Sequence, residues 1–453
     1  MNAEITFFAD AHDSLVAAMS ATQDETVVFG FGGRAQSDVR TSIVVDRVEV
    51  VPDAAYAERK AGRFRLEPSY VAEVALRAAA GGRTLVVAHS HPFGRHVPRF
   101  SAIDDRMHRL LVPALLRQVP GPIASLVWSP GGWDGLLWDD AGTPHEIARV
   151  RVVGMHLELL RTGELAEGEN AAYDRQIRAF GQPVQDALGS LRVGIVGLGG
   201  TGSLAAEWLA HMGVRDFLLV DPDRLEASNL SRVTGSRPDD VAQDPTLEKV
   251  ASAERMIRAI APRARIETRA GDVVRCDALR RVATCDVVLS CTDSHASRAV
   301  LNVLAYQYAI PLLDVGTLLR GDRGAVTGAW IDVRRAGPGT ACLRCQDAID
   351  SSRVTDELLS PAERQQMQAF GYVPGTPMPA PSVLPLNALG VSLLCLRVLD
   401  LLVPWLSWAD RVTVEARALD VLQRESQSRD GCEICSDSAL WGRADDLPLR
   451  CVG

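Results

Sequence analysis

The stretch LRVGIVGLGGTGSLAAEWLAHMG, residues 191–213, constrains the fold of this chain more than any other. LRVGIV reads as a buried strand. GLGGTG is a turn in which Gly197, Gly199, Gly200 and Gly202 let the backbone approach a phosphate at the start of a helix. In that helix Leu204, Ala205, Trp208, Leu209 and Met212 share one face, and Gly213 ends it. FLLV follows as a second strand and closes on Asp221. Strand, glycine turn, helix and strand make a βαβ unit of a doubly wound α/β sheet. DVVLSCTD and IPLLDVG read as later strands of that sheet. Taken alone, the turn suits an NAD(P)-dependent oxidoreductase as well as an ATP enzyme, with Asp221 on a ribose in either case.

The residues that follow favour ATP. DPDRLEASNLSR carries Asp221, Asp223, Asn229 and Arg232, Lys249 opens a later helical stretch, and Asp293 ends a strand in SCTD. A lysine and an arginine for phosphate, with acids for Mg²⁺, match a triphosphate better than a hydride carrier. With YDRQI at 173–177 and two CxxC pairs, the series resembles the ThiF/MoeB-type adenylyltransferases, the fold of ubiquitin-activating enzymes, from Tyr173 to the C-terminus. The resemblance implies a Rossmann-like domain. In it Gly197, Gly199, Gly200, Gly202, Asp221, Asp223, Asn229, Arg232 and Lys249 hold ATP, and Asp293 binds Mg²⁺. It also implies that Arg175 reaches into the ATP site of a second copy, hence a homodimer. The carboxylate of a C-terminal glycine would attack the α-phosphate, giving an acyl-adenylate and pyrophosphate.

The N-terminal part alternates strand and helix signals. ETVVFGF, SIVVDRVEVV and RTLVVAHS are strand-like, SYVAEVALRAAAGG is helical, and SPGGWDG marks a late hairpin. His89 and His91 end a strand on the same side, and Asp104 offers an oxygen, so three ligands can meet one open zinc. Ser101 and Asp104 also suit a helix capping box, and the two readings are compatible. HSHP followed by SAID resembles the JAMM motif of JAB/MPN metallopeptidases, which cleave after the terminal glycine of ubiquitin-like proteins. That resemblance implies zinc on His89, His91 and Asp104, Glu25 (or Glu49) as general base, and Ser101 at the oxyanion. His96 and His108 lie outside the motif and are read as exposed.

Cys342, Cys345, Cys432 and Cys435 suit a closed, structural zinc, with a redox CxxC as the rival. The resemblance places a thioester-forming cysteine in the loop after the first CxxC, but residues 346–394 hold no cysteine, so adenylation is expected without an obligatory internal thioester. Cys285, Cys291 and Cys395 are read as buried, and Cys451 as mobile and accessible. Nine cysteines and no leader pattern in MNAEITFFADAHDS fit a reducing cytoplasm, with thiols free or on metal.

A net charge of −9 argues against nucleic-acid binding. The apolar stretch LPLNALGVSLLCLRVLDLLVPWLSW contains Asn387, Arg397, Asp400 and Pro404 and reads as a buried helix, not a membrane span. The expected organisation is a JAB/MPN-type α/β domain over 1–160, a linker over 161–172 and a ThiF-type domain over 173–453. The expected function is a cytoplasmic, bacterial-type bifunctional enzyme. It would use ATP, Mg²⁺ and two zinc ions, one catalytic and one structural, on a ubiquitin-like or sulfur-carrier protein, with an E2-like conjugating protein as a further candidate partner. The rivals are the oxidoreductase and a non-catalytic binder of ubiquitin-like proteins with a dead JAB domain.

Overall fold

The computed structural model describes the chain except for residues 1, 61, 95, 162–170, 323, 361, 364–380, 437, 438 and 453. Most of the expected linker and of the Pro-rich stretch 373–385 lies outside the described residues. The chain forms two compact units. The first is Met1–Glu167 with Tyr306–Ala309 and Asp437–Pro448, and the second is Gly168–Ala305, Ile310–Ser436 and Leu449–Gly453.

In the first unit the order is β1 (Asn2–Phe8), α1 (Ala9–Ser20), β2 (Val27–Gln36), β3 (Arg40–Val50), β4 (Tyr56–Lys60), β5 (Arg63–Leu66), α2 (Pro68–Ala80), β6 (Thr84–Ser90), α3 (Ala102–Leu116), β7 (Ile123–Ser129), β8 (Gly132–Trp138), β9 (Pro144–Val153) and β10 (Leu157–Arg161). The main sheet runs β1-β3-β2-β6-β7-β8-β9-β10, and β1 also pairs with β9, so the sheet closes on itself. Side chains alternate across each strand. Val28, Val86 and Ala88 therefore join Leu15 and Met19 of α1 in one core. Val27, Phe29, Leu85 and Val87 face Val74, Ala78 and Leu115 in another. The N-terminal segment, read only for a leader, is β1 and α1. Its Ile5 and Phe7 are fully buried.

The late segment Asp437–Pro448 belongs to this unit. The backbone N–H groups of Arg34 and Gln36, at the end of β2, donate to Asp446 Oδ2 at 3.1 Å and Asp445 Oδ2 at 2.6 Å. Trp441 stacks on Phe8 with 5.5 Å between ring centres. The chain therefore does not divide at a single point.

The second unit contains α4 (Asp174–Phe180), α5 (Gln182–Ser190), β11 (Arg192–Val196), α6 (Gly200–Met212), β12 (Asp216–Val220), α7 (Pro238–Ala242), α8 (Lys249–Ile260), β13 (Arg265–Arg269), α9 (Cys276–Val282), β14 (Val287–Ser290), α10 (His295–Gln307) as far as Ala305, β15 (Leu312–Asp322), β16 (Ala325–Ala336), α11 (Ser351–Leu358), α12 (Leu384–Leu402), β17 (Arg411–Glu415) and β18 (Asp420–Arg424). Its sheet runs β13-β12-β11-β14-β15-β16-β17-β18, parallel from β13 to β15 and antiparallel beyond. Strand order reverses between β11 and β14, which opens a crevice at their carboxyl ends. The helix α12 is long and apolar enough to cross a membrane by length and composition. It packs instead on α6, β15 and β16, burying Leu386, Val391, Leu394 and Val398.

Candidate functional site

The glycine turn sits between β11 and α6. Gly197 has φ +87°, and a Cβ there would stand 2.7 Å from the Cys291 carbonyl oxygen. Only glycine meets both conditions. A Cβ on Gly202 would lie 1.8 Å from the Gly197 carbonyl oxygen, so the helix start is pressed onto the turn. Gly199 has open space around its Cβ position. Of the glycines in this turn it is the one with room for a ligand to approach the backbone.

Asp221 follows β12 and is buried. Its Oδ2 accepts the Leu198 N–H at 2.6 Å and its Oδ1 accepts the Asp223 N–H at 2.8 Å, which ties the glycine turn to the second strand. Burial pushes the Asp221 carboxyl up, and Lys249 opposes it. Lys249 Nζ lies 2.6 Å from Asp223 Oδ2 and 3.9 Å from Asp221 Oδ1. The plain amphipathic helix that begins at Lys249 thus starts with an ammonium held among acids at the sheet's carboxyl edge.

Asn229 holds a short turn: its Oδ1 accepts the Glu226 N–H at 3.2 Å, and its carbonyl accepts the Arg232 N–H at 2.9 Å. Arg232 is half-buried, and its Cδ lies 3.5 Å from a Cβ placed on Gly200. Asp293 is exposed two residues past Cys291, whose carbonyl abuts Gly197. The second unit thus gathers the glycine turn, Asp221, Asp223, Arg232 and Lys249 along one crevice. Arg175 is exposed on α4, which packs on α5.

Sequence reasoning missed Asn387 as a site residue. It projects from α12 to within 2.2 Å of a Cβ placed on Gly200, and Thr317 Oγ1 and Ser382 Oγ hold its amide. A buried amide in the most apolar helix of the chain was the available signal.

In the first unit, His89 Nε2 lies 3.3 Å from His91 Nε2 and 3.3 Å from Asp104 Oδ1, and His91 Nε2 lies 3.7 Å from Asp104 Oδ2. Tetrahedral ligands about 2.0–2.1 Å from one zinc stand about 3.3–3.4 Å apart, so the donor set fits. Ser101 caps α3 through the Asp104 N–H while Asp104 Oδ2 accepts the Ser101 N–H at 2.7 Å. The capping box and the ligand cluster coexist. Burial works against ionisation of Asp104, but bonds from His89 and Ser101 hold it well below the usual carboxylate range. Glu25 Oε1 stands 3.9 Å from His91 Nε2. Burial pushes Glu25 up to about 7, with His89 opposing and Asp104 adding to the rise. Glu49, the weaker alternative, is engaged elsewhere by Tyr70 at 2.7 Å and Arg77 at 2.6 Å. His96 is exposed as expected. His108 is not: it bonds Ser125 Oγ at 2.9 Å and packs edge-on against Phe100 and Trp138, because α3 turns it toward β7.

The four CxxC sulfurs converge, with Cys342–Cys432 at 3.7 Å and Cys345–Cys435 at 3.6 Å. Sulfurs about 2.3 Å from a tetrahedral zinc stand about 3.8 Å apart, so these donors also fit. Cys285, Cys291 and Cys395 are buried as expected. Cys451 corrects the reading of free thiols, since it forms a disulfide with Cys276. The physical reason is a bridge between Arg275 and Val452, in which the Val452 N–H donates to Val274 O at 2.8 Å and lays the tail beside the start of α9.

The pattern of the ThiF family matches residues 173–416, more than half of the chain. Molybdopterin-synthase adenylyltransferase of Escherichia coli is 34% identical over 184 residues, 40% of this chain and 70% of that protein. The SAMP-activating enzyme E1 of Haloferax volcanii is 32% identical over 161 residues, 36% of this chain and 55% of its own. The sulfur carrier protein ThiS adenylyltransferase of Bacillus subtilis is 29% identical over 200 residues, 43% of this chain and 56% of its own. The chain thus spans little more than half of the last two.

Proposed function

Because the chain belongs to the ThiF family, we propose that its second unit adenylates the C-terminal glycine carboxylate of a ubiquitin-like or sulfur-carrier protein. The observation that carries this reading is Lys249 held beside Asp221 and Asp223 at the mouth of the glycine turn. The α6 N-terminus and the turn's backbone N–H groups would receive phosphate. Lys249 and Arg232 would neutralise it, Asp221 would take the ribose, and Asp293 would hold Mg²⁺. The incoming carboxylate oxygen bonds to the α-phosphorus, and the bond to the leaving pyrophosphate breaks. The protein's share is charge neutralisation and in-line placement. Arg175, exposed on α4, is free to serve a second copy, so a homodimer belongs to this reading. Lys249 and Arg232 give no reason to favour the oxidoreductase. Cytoplasmic residence fits the supply of ATP, whereas the Cys276–Cys451 link argues the other way.

A second activity is supported by the spacing of His89, His91 and Asp104. These residues would hold one zinc, which supplies an acidified water. Glu25 would take that water's proton, and the Ser101 hydroxyl would donate to the oxyanion. The four cysteines would hold a second, structural zinc. The first unit would then cleave after the same glycine that the second unit activates.

ATP–pyrophosphate exchange dependent on a small protein ending in glycine tests the adenylation. Exchange absent with every cognate partner, and Arg232→Ala indistinguishable from wild type, would overturn it. Zinc content separates the hydrolytic reading from a dead binding domain: two ions per chain support it, one does not.

A further inference from the structure

A cavity of about 550 Å³ opens beside the histidine site. Phe64, Leu66, Ala75, Leu111, Leu115 and Trp138 give it an apolar wall drawn from β5, α2, α3 and β8. His89 and Asp104 line it too, so the cavity and the proposed metal ligands share two side chains. The His108 and Ser125 groups that reach it already satisfy each other at 2.9 Å. Phe64 and Asp104 also line a second, much smaller space with Glu25 and Ser101. They stand between the proposed base and the apolar cavity.

Protein interiors hold few voids larger than a water, and a space of this size falls in the range of ligand pockets. Its chemistry is selective. Apolar side chains supply most of its wall. Among the described residues its one carboxylate apart from Asp104 is Glu67, which is exposed, as are Arg65 and Gln118, so it offers contact area to a bulky apolar side chain and only that one exposed carboxylate to an ammonium. Resting on the reading of His89, His91 and Asp104 as a hydrolytic centre, we propose that this cavity receives an apolar side chain just after the scissile bond. The substrate is then a linear C-terminal extension carrying a large apolar residue after the glycine, and not an isopeptide on a lysine. The peptide C–N bond breaks, water oxygen bonds to the glycine carbonyl carbon, and the water's protons pass to the leaving amine.

The test uses the full zinc-loaded chain and peptides ending Gly-Gly-X-Ser, with X as Phe, Leu, Ala or Asp, plus Gly-Gly joined to a lysine Nε. Phe and Leu peptides are expected to show kcat/KM about 10- to 100-fold above the Asp and lysine-linked peptides. Ala75→Leu and Leu111→Trp each fill the cavity. Both should remove most of the advantage of Phe while sparing the Ala peptide, and a melting curve identifies a variant that has merely unfolded. Measurable hydrolysis at equal rates for Phe and Asp, or a Phe preference that survives both folded variants, would overturn the inference. Titration calorimetry on Glu25→Gln separates the two layers. Tighter binding of the Phe peptide than the Asp peptide supports the cavity assignment even where the wild type hydrolyses neither, a result that sinks only the hydrolytic reading. Equal binding of both sinks the cavity assignment.

Discussion

Gly202→Ala and Gly199→Ala should behave differently, although both change one glycine of the same turn. An added Cβ at 202 would sit 1.8 Å from the Gly197 oxygen, 2.8 Å from its carbonyl carbon and 3.2 Å from Cys291 Cβ. Ordinary non-bonded contact is about 3.5 Å, so the turn must open by more than about 1 Å. Two of those three atoms are backbone, and the turn is fixed by the Gly197 N–H to Val220 O bond at 2.9 Å and by Asp221. Relief therefore has to come from moving α6 against β11. Overpacking of this kind costs about 3 kcal/mol, at the upper end of its usual range. In a unit of this size that lowers Tm by about 6–12 °C. At 199 the Cβ meets nothing within 4 Å, and the backbone is extended with φ −71°. Its stability cost should be close to zero, while nucleotide affinity falls because the added methyl occupies the open face of the turn. Thermal unfolding with and without ATP-Mg²⁺, together with pyrophosphate exchange, resolves the two effects. A Gly199→Ala protein that melts as early as Gly202→Ala would refute the steric reasoning, and so would a Gly202→Ala protein with wild-type Tm.

Further outcomes can be measured independently. On the proposed two-zinc reading, His89→Ala should release one ion and abolish hydrolysis while leaving pyrophosphate exchange intact; loss of both ions on this substitution would contradict separate sites. Cys432→Ser should release the other ion and cost several kcal/mol of stability, read by metal analysis and denaturant melts. Glu267 gives a pH signature. Burial alone would raise its carboxyl, but bonds from Arg281 and Arg192 pull it down to about 2 from an ordinary 4.5. A depressed folded-state pKa means the stabilisation is full above about 4.5 and is lost as pH falls toward 2. After allowance for solvent screening, Glu267→Gln should cost about 1–2 kcal/mol at neutral pH. The deficit should shrink below pH 4.5, and a deficit constant from pH 7 to pH 3 would count against this account. Mixing Arg175→Ala with Lys249→Ala should restore part of the exchange activity if a site is shared between copies; no recovery after confirmed subunit exchange would exclude the shared site.

What the sequence determined by itself is what local chemistry encodes. Glycines at fixed offsets between a strand and a helix admit one backbone path, so the turn at 197–202 was legible without coordinates. Two histidines two apart at a strand end, with a serine and an aspartate opening a helix, carry their own geometry in the same way. The CxxC pairs announced four thiols, because each pair is already a local chelate. Tertiary structure decided whatever depends on partners distant in the chain. Asn387 looked like an interruption in an apolar helix until α12 was laid on α6 and its amide met Gly200. His108 looked exposed until α3 turned it onto Ser125 of β7. Cys451 looked free until the Arg275–Val452 bridge brought it to Cys276, 175 residues away in sequence. The strap around Trp441 joined the first unit through backbone donors on β2 that the sequence gives no means of pairing with Asp445 and Asp446. Local spacing fixes where a side chain points along its own element, but only packing fixes what stands opposite it.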